Sequence, residues 1–274
     1  MQPYLSSYTD FVSPRFLFNK TPAKTSAEVV TPIMPDEGRP YSIATKCAAE
    51  FLALMTFVII GSLQAALSNK NTDGVLNAAL CHGVAIVVLV GIFAHISGGH
   101  VNPIVTLGIA CLGKMPALEA VFYIVAQSLG GIVGSFLVRA ILTHDQFVAI
   151  QGGATLCGTG IEWYQGFLAE IFTSMFLILT VFLYAVDEKS ILAPLSIGLT
   201  VIFDILAVGA ISGASMNPAR SLGPNVVAAI FMNDKLKEGF WSNHWIYYAG
   251  PIIGTLLAVA LHRLFFARDK RLVQ

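Results

Sequence analysis

Two short peptides of similar sequence, residues 97–103 (SGGHVNP) and residues 212–218 (SGASMNP), carry the most specific chemistry of this chain. Each peptide opens with small residues, interrupts an apolar stretch, and ends in asparagine followed by proline. Asparagine is favoured at the N-cap of a helix, and proline is favoured at the first helical position. The two peptides therefore predict two short helices that begin in apolar surroundings.

The same peptides contain groups that could replace the hydrogen bonds a small polar molecule loses on leaving water. The side-chain amides of Asn102 and Asn217 are donors, and extended small-residue backbone presents carbonyl acceptors. We expect both short helices to point the positive ends of their dipoles, each about +0.5 charge, at the same region, which disfavours cations there. The expected pore-lining carbonyls belong to Gly98, Gly99, His100, Val101, Gly213, Ser215 and Met216.

The elements that hold these peptides are too apolar for an ordinary soluble domain. Of 274 residues, 55% are hydrophobic and 12% are charged, and the mean hydropathy is +0.72. A helix of about 20 residues crosses the ~30 Å hydrocarbon core of a bilayer. Two apolar pieces, residues 102–112 and 217–231, are too short to cross and predict half-spanning helices. The predicted spans are residues 44–67, 76–96, 116–142, 163–186, 192–211 and 243–266.

The chain is organised as two related halves. Asn217 follows Asn102 by 115 residues, and Glu170 in the fourth span follows Glu50 in the first by 120. Because three spans is an odd number, the second half must enter the bilayer from the opposite side, and the two half-helices must meet near the midplane. The predicted fold class is an all-α membrane protein with six transmembrane helices and two half-spanning helices in an inverted repeat, an architecture typical of a pore.

This organisation also predicts the domain boundaries. A channel domain covers residues 44–268, and its two halves cover residues 44–142 and 163–266. A proline-rich, flexible tail of residues 1–43 precedes it, and a short tail of residues 269–274 follows it. Six glycines inside the spans are interpreted as helix contacts that allow close packing: Gly61, Gly83, Gly130, Gly134, Gly198 and Gly254.

Two glutamates in apolar spans require a buried role. A carboxylate costs ~2.5–3.5 kcal/mol on membrane-insertion scales, so Glu50 and Glu170 should face the interior. We expect them to support the loops by accepting hydrogen bonds from backbone amides. The alternative, a general acid and base, lacks an accompanying nucleophile or metal site, so neither an enzyme nor a cofactor is expected. The four cysteines show no metal-ligand spacing and are interpreted as small buried hydrophobes.

The twin Asn-Pro loops, the paired glutamates and the NPAR sequence at residues 217–220 resemble the aquaporin (major intrinsic protein) family. The resemblance covers about residues 41–266. The segments CHG (81–83), DILA (204–207) and HWIYY (244–248) are similar to the ammonia-permeable branch, which comprises animal aquaporin-8 and plant tonoplast intrinsic proteins, and the animal type is favoured. One departure is Ile104, which stands where the family usually has alanine in its NPA motif.

Helical spacing brings a set of side chains to one depth. Arg220 lies three residues beyond Asn217, which places it ~4.5 Å from the membrane midplane towards the outside. His82 and Ile205 each lie six residues inside the outer end of a span, which is ~9 Å below the outer boundary of the hydrocarbon core. Because the half-thickness of this core is ~15 Å, both lie at nearly the depth of Arg220. The family resemblance implies the same set, together with Ala214, as the selectivity filter. It further implies that a histidine in place of an aromatic residue, and an isoleucine in place of histidine, give a wider ring that passes ammonia and hydrogen peroxide beside water.

The leading hypothesis is a passive channel for water and small neutral solutes that excludes protons and cations. A glycerol facilitator is weaker, because Ser221 stands where glycerol-conducting relatives usually have aspartate. A coupled transporter can also contain inverted repeats and broken helices. A nonconducting scaffold of the same fold is the third alternative. Saturable ion-driven flux would favour the transporter, and absence of flux would favour the scaffold.

Basic residues predict the orientation in the bilayer. Eleven Lys and Arg residues belong to one side, and only four to the other, so both termini are predicted to be cytoplasmic. The family resemblance implies a homotetramer with one pore per subunit, and the plasma membrane is favoured over an internal membrane. A formal net charge of +0 gives no reason to expect a nucleic-acid partner. The four basic residues of the opposite side are Lys70, Arg139, Lys235 and Lys237.

Overall fold

The computed structural model of this chain describes residues 40–67, 74–232 and 235–267. These ranges form helices and connecting turns, and no strand occurs within them. The predicted tails, residues 1–43 and 269–274, lie outside the described residues except for positions 40–43. The helices are α1 (Ile43–Leu67), α2 (Gly74–Ser97), α3 (Pro103–Cys111), α4 (Ala117–Ile141), α5 (His144–Ala149), α6 (Trp163–Thr180), α7 (Ala193–Ser212), α8 (Pro218–Met232) and α9 (Ile246–Leu261).

Six of these helices are long and apolar enough to cross a membrane, which confirms the predicted spans. α6 continues as a π-helix over Val181–Asp187, and α9 continues in the same way over His262–Phe266. The spans alternate in direction along the chain. We call the end of the bundle where α1 begins the near end, and the end where α4 finishes the far end. The Lys46–Glu119 ion pair, 2.8 Å long, joins the starts of α1 and α4 at the near end.

The two halves pack in the same way. α1 packs on α4 in the first half, α6 packs on α9 in the second, and α2 packs on α7 to join the halves. A Cβ added to Gly130 in α4 would lie 2.4 Å from the carbonyl oxygen of Phe51, and one added to Gly254 in α9 would lie 2.4 Å from that of Ile171. These glycines therefore allow the same close helix crossing in each half.

α3 and α8 are the half-spanning helices. α3 has 9 residues and α8 has 15, so at 1.5 Å per residue their lengths are about 14 Å and 22 Å, both short of the hydrocarbon thickness. Asn102 precedes the first and Asn217 precedes the second, and proline occupies the first helical position of each. Their N-termini meet inside the bundle, as the inverted repeat predicts.

One short helix was absent from the sequence prediction. α5 lies in the far-end connection between α4 and α6, and a capping box between Thr143 and Gln146 starts it. Its Phe147 is fully buried in a satellite core with Val138 and Met232. Burial of this aromatic ring packs the start of the connection against the bundle.

The cysteines differ from expectation in their burial. Cys47, Cys81, Cys111 and Cys157 are free thiols of intermediate exposure rather than buried residues. Those in α1, α2 and α3 are partly exposed, because each lies at the edge of the buried face of its helix. Cys157 lies in the far-end connection, where burial raises the pKa of its thiol.

Candidate functional site

A cavity of about 810 Å³ passes through the bundle. Its lining includes Gln64 and Val75 at the far end and Lys189 and Ser190 at the near end. Both predicted asparagines line it between these ends. The structure therefore brings the two Asn-Pro peptides to one passage instead of leaving them as separate helix caps.

The backbone of both peptides adopts left-handed conformations. Val101 and Met216, each directly before the asparagine, both have φ of 52°. Positive φ costs a residue other than glycine of the order of 1–3 kcal/mol, and it is rarest for β-branched residues such as valine. The surrounding structure must therefore hold these loops in place. The other left-handed positions are Gly98 (92°), Gly99 (61°), Gly213 (85°) and Ala214 (46°).

Glu50 holds the first loop. Its Oε1 accepts from the backbone N–H of His100 at 2.9 Å, and its Oε2 accepts from that of Val101 at 2.7 Å. The Ser97 hydroxyl donates to the same carboxylate at 2.6 Å, and the Gln127 amide donates at 2.8 Å. Glu50 is fully buried, so these four donors replace the water it has lost.

Glu170 holds the second loop with the same arrangement. Its Oε1 accepts from the Ser215 backbone N–H at 2.9 Å and from the Ser212 hydroxyl at 2.7 Å. Its Oε2 accepts from the Met216 N–H at 2.8 Å. With their amides occupied by a carboxylate, the loops are left with carbonyls that can face the cavity. Both glutamates thus lie where a loop-supporting role requires them.

Two tyrosines, one for each loop, complete these supports, and their role was not predicted from the sequence. The Tyr123 hydroxyl donates to the Ser97 carbonyl at 2.9 Å, and the Tyr247 hydroxyl donates to the Ser212 carbonyl at 2.7 Å. Each bonded carbonyl belongs to the first residue of one loop. The tyrosines lie 124 residues apart, close to the repeat spacing, and this spacing is the sequence signal that could have found them.

The two asparagines bond reciprocally across the junction. Asn102 Nδ2 donates to the Met216 carbonyl at 2.8 Å, and Asn217 Nδ2 donates to the Val101 carbonyl at 2.8 Å. Each Oδ1 caps its own half-helix, accepting from Ile104 N at 3.1 Å and from Arg220 N at 3.2 Å. A side-chain amide has two N–H donors, so one donor of each asparagine remains for a molecule in the cavity.

Of the seven residues expected to present carbonyls, all but one line the cavity. The lining includes Gly98, Gly99 and His100 from the first loop, and residues 213–216 from the second. Val101 is fully buried and is not part of the lining. Its carbonyl instead accepts from Asn217, because the cross-link between the loops turns it towards the other half.

The four predicted filter residues also line the cavity, on its far-end side. His82 Nδ1 lies 2.8 Å from the Ala78 carbonyl, and its Nε2 lies 3.3 Å from Arg220 Nη2. A carbonyl can only accept, so this network assigns the proton to Nδ1 and leaves the Nε2 lone pair facing the guanidinium. His82 therefore acts as an acceptor for Arg220 in its neutral form. Ile205 and Ala214 add apolar side chains to the lining of the same cavity.

The connection between α5 and α6 fixes Arg220 from the other side. Nη1 donates to the Gly153 carbonyl at 3.0 Å and to the Thr155 hydroxyl at 3.2 Å. Thr155 is itself held by Asn225, whose Oδ1 accepts from its backbone N–H at 3.1 Å. Three partners thus fix the plane of the guanidinium at the cavity wall. Sequence reasoning found the arginine but neither Gly153 nor Thr155, which lie in a connection without a motif.

Two residues next to the site face away from the passage. Ile104 is 1% exposed and belongs to the same buried core as Ala219, its counterpart in the second NPA motif. Its larger side chain therefore packs in the core and is not part of the cavity lining. Asp204 is fully buried beside Ile205, and neither carboxylate oxygen has a hydrogen-bond partner among the described residues.

Comparison with known proteins gives one family. The family model described as major intrinsic protein matches residues 38–262. Aquaporin-8 of Rattus norvegicus is 39% identical over 227 residues, covering 82% of this chain and 82% of the relative. Aquaporin TIP2-1 of Arabidopsis thaliana is 40% identical over 221 residues, covering 77% of this chain and 82% of the relative.

A solved structure supports the fold. The aquaglyceroporin from Plasmodium falciparum aligns with a TM-score of 0.70 over 81% of this chain and 96% of its own. Its sequence identity is 23%, so the likeness concerns the arrangement of helices. The half-helices and six spans described above are therefore an arrangement already observed in a membrane protein.

Proposed function

The chain belongs to the major intrinsic protein family, and from this premise we propose that it is a passive transmembrane channel for water that also admits ammonia and hydrogen peroxide and excludes protons and cations. The observation that carries the proposal is the reciprocal pair Asn102 and Asn217, which donate across the junction of two opposed half-helices inside one cavity. The family is one of channels, and the buried glutamates support loops in place of acid–base chemistry.

The central step concerns the orientation of a single water. The remaining N–H groups of Asn102 and Asn217 donate to the water oxygen, so both hydrogens of this water turn outward along the passage. The loop carbonyls on either side accept from the neighbouring waters. A proton relay needs every water to point the same way, and this arrangement reverses the direction at the centre. The positive ends of both half-helices add a repulsion for cations at the same depth.

The filter supplies the second step. Arg220 is a permanent cation with fixed donors, so it repels cations and binds the oxygen or nitrogen of a neutral solute. His82 offers no free donor on the side that faces Arg220, and Ile205 gives an apolar wall. A small neutral molecule with both donors and acceptors can exchange its hydration for the Arg220 donors and the loop carbonyls. Ammonia and hydrogen peroxide satisfy this requirement as water does.

The test is flux through purified protein in proteoliposomes. Stopped-flow light scattering should show water permeability well above that of empty vesicles, with a low activation energy. Internal pH and peroxide-sensitive dyes should report ammonia and hydrogen peroxide entry. Flux equal to that of empty vesicles would contradict the channel. Water flux without ammonia or peroxide entry would contradict only the wider filter.

Cation exclusion has its own variant. Replacing Arg220 with alanine removes the fixed charge and should raise proton or sodium leak through the same vesicles. The control is Lys114→Ala, which removes an exposed charge outside the cavity lining. An unchanged leak in Arg220→Ala would show that the half-helix dipoles alone exclude cations.

The alternatives predict different kinetics. A glycerol facilitator is the weaker alternative, because Ser221 stands where glycerol-conducting relatives usually have aspartate, and its hydroxyl is buried against Ser215 and Thr155. A coupled transporter requires a carboxylate open to the cavity, but Glu50 and Glu170 are sealed by loop amides. Flux that rises linearly with concentration supports the channel. Saturable flux driven by an ion gradient would support the transporter.

We also propose how the protein stands in the membrane. The near end, which carries Lys46, Lys114, Lys189 and Arg263, faces the cytoplasm together with both termini. The channel domain covers residues 44–268 and assembles as a homotetramer in the plasma membrane. Cross-linking followed by mass measurement tests the tetramer, and accessibility of a tag at either terminus in intact cells tests the orientation.

A further inference from the structure

Arg139 is a basic residue inside a membrane-spanning helix that the pore does not use. It lies two residues before the end of α4, about 3 Å along the helix axis from the far end. A charged residue in a span is costly unless it reaches the interface, and long cationic side chains near helix ends do so. Arg139 thus lies where hydrocarbon gives way to head groups.

Two aromatic rings hold its guanidinium. The Cζ atom lies 5.6 Å from the ring centre of Phe147 and 5.3 Å from that of Phe231. Both distances are within the range of a cation–π contact. Phe147 is fully buried, and Phe231 rests edge-on against Phe136 at 6.0 Å. The guanidinium is therefore ordered before any ligand arrives.

The same group has no polar partner in the described part of the chain. Its Nε is buried without a hydrogen bond, and neither ion pair of the described ranges involves Arg139. The two ion pairs of the described ranges, Lys46–Glu119 and His262–Asp187, both lie at the near end. A guanidinium carries five N–H donors and a permanent charge. Within the described residues these donors have no acceptor.

The surroundings of Arg139 indicate which acceptor fits these donors. Next to Arg139 the surface is apolar and open, with Phe136 39%, Ile141 60% and Ile230 57% exposed. One turn of α5 from Phe147, the ring of His144 lies 3.1 Å from the Lys235 ammonium, which adds positive charge at this edge. A cation beside an apolar surface at the membrane boundary matches the phosphate and acyl chains of a lipid.

We propose that Arg139, Phe147 and Phe231 form a binding site for the phosphate group of a phospholipid in the leaflet where α4 ends. The guanidinium donates to phosphate oxygens, a geometry in which two parallel hydrogen bonds form. The acyl chains lie along Phe136, Ile141 and Ile230. This site is independent of permeation, and it stands or falls separately from the proposed channel function.

Native mass spectrometry of the purified full chain tests the proposal. Delipidated protein in detergent is titrated with phosphatidylglycerol, and in parallel with a diacylglycerol of the same acyl chains that lacks the phosphate. The unaltered chain should retain phosphatidylglycerol preferentially. Arg139→Gln should weaken that binding about tenfold, the loss expected for a charge-assisted hydrogen bond. Arg139→Lys keeps the charge without the planar fork and should give an intermediate value.

Matched variants separate the site from general effects. Lys114→Gln removes an exposed charge at the near end of the bundle and should bind phosphatidylglycerol as the unaltered chain does. Phe231→Leu keeps the charge and removes one ring, so it should weaken binding by a smaller factor. Because Arg139→Gln could fold poorly, its helical content and thermal unfolding are compared with those of Phe231→Leu.

Four results would overturn the proposal. The first is equal binding of phosphatidylglycerol and diacylglycerol, and the second is unchanged binding in Arg139→Gln. The third is displacement of the lipid by inorganic phosphate at similar concentration, which would identify a site for the free anion. The fourth is dissociation of an oligomer in Arg139→Gln with lipid binding unchanged, which would identify a contact between copies of this chain.

Discussion

An alanine at position 61 would test whether the position of one imidazole ring sets the selectivity of the filter. Gly61 is buried in α1, and its backbone lies directly against His82. A Cβ added there would meet His82 Nε2 at 2.3 Å, Cδ2 at 2.9 Å and Cε1 at 3.0 Å. The sequence predicts that this glycine serves helix packing, whereas in the structure it makes room for the His82 side chain.

The size of the displacement follows from these distances. Ordinary contact begins at 3.4 Å, so Nε2 must move by at least 1.1 Å from its 2.3 Å position. Nε2 is already 3.3 Å from Arg220, and Nδ1 is held at 2.8 Å by the Ala78 carbonyl. The ring must therefore turn towards the cavity or lose its contact with Arg220. A wall that moves inward by ~1 Å narrows the passage by about a third of a hydrogen-bond distance of about 2.8 Å.

The expected result is a selective loss of permeability. Loss of a hydrogen bond to a charged group, about 1.5–3 kcal/mol, corresponds to a tenfold or larger change in rate. Hydrogen peroxide and ammonia permeability should fall about tenfold in Gly61→Ala, with a smaller fall for water. Stopped-flow measurements on proteoliposomes of equal protein content provide the comparison.

Two matched variants make this prediction refutable. Gly91 lines the same cavity, and a Cβ added there meets nothing within 4 Å, so Gly91→Ala should leave all permeabilities unchanged. In a His82→Ala background, adding Gly61→Ala should have no further effect, because the ring it displaces is gone. A full effect of Gly61→Ala in that background would show that Gly61 acts on helix packing and not through His82.

Three further predictions concern the supports of the loops and the far-end surface. Tyr247→Phe leaves the Ser212 carbonyl without its 2.7 Å donor and should lower the free energy of unfolding by about 1–3 kcal/mol. The thermal unfolding temperature should fall by a few degrees, whereas the exposed control Tyr164→Phe should not change it. Glu170→Gln replaces an acceptor oxygen by an NH2 group that faces a loop N–H, so water permeability should fall at least tenfold, and activity equal to that of the exposed control Glu162→Gln would refute the loop-support role. Burial lowers the pKa of His244 to about 4; because the unfolded chain takes up this proton near pH 6.5, stability should fall as the pH falls from 6.5 towards 4, and His244→Gln should reduce the slope of unfolding temperature against pH in that window.

The sequence carried the architecture because its signals are local. Apolar length located six spans, and Asn-Pro located the start of each half-helix, since both depend on neighbouring residues alone. The glutamates followed from the cost of charge in lipid. Their role as acceptors for the loop amides followed from their matching positions in the two halves. By contrast, the partners of Arg220 depend on how a connection without a motif folds over the far end.

The missed residues share a different property. Tyr247 and Gly61 act through side-chain directions that are set by packing between distant helices. Tyr247 reaches a loop 35 residues earlier, and Gly61 accommodates a ring 21 residues later. A periodic pattern shows that such a residue is buried, but not what it faces. The 124-residue spacing of the two loop-bonding tyrosines was available from the sequence, but their hydroxyl contacts needed the fold.

The repeat also shows that the proposed selectivity filter has no counterpart in the other half. The position related to Arg220 by the 115-residue repeat is Val105, an apolar residue that lines the same cavity on the near-end side. Both halves use a carboxylate, a left-handed loop and an asparagine cap, so the backbone device is symmetric. The charge is not, because the far-end connection supplies the Gly153 carbonyl and the Thr155 hydroxyl that compensate a buried guanidinium. The proposed cation barrier therefore has two parts: a symmetric one at the half-helix junction and an asymmetric one at the far end.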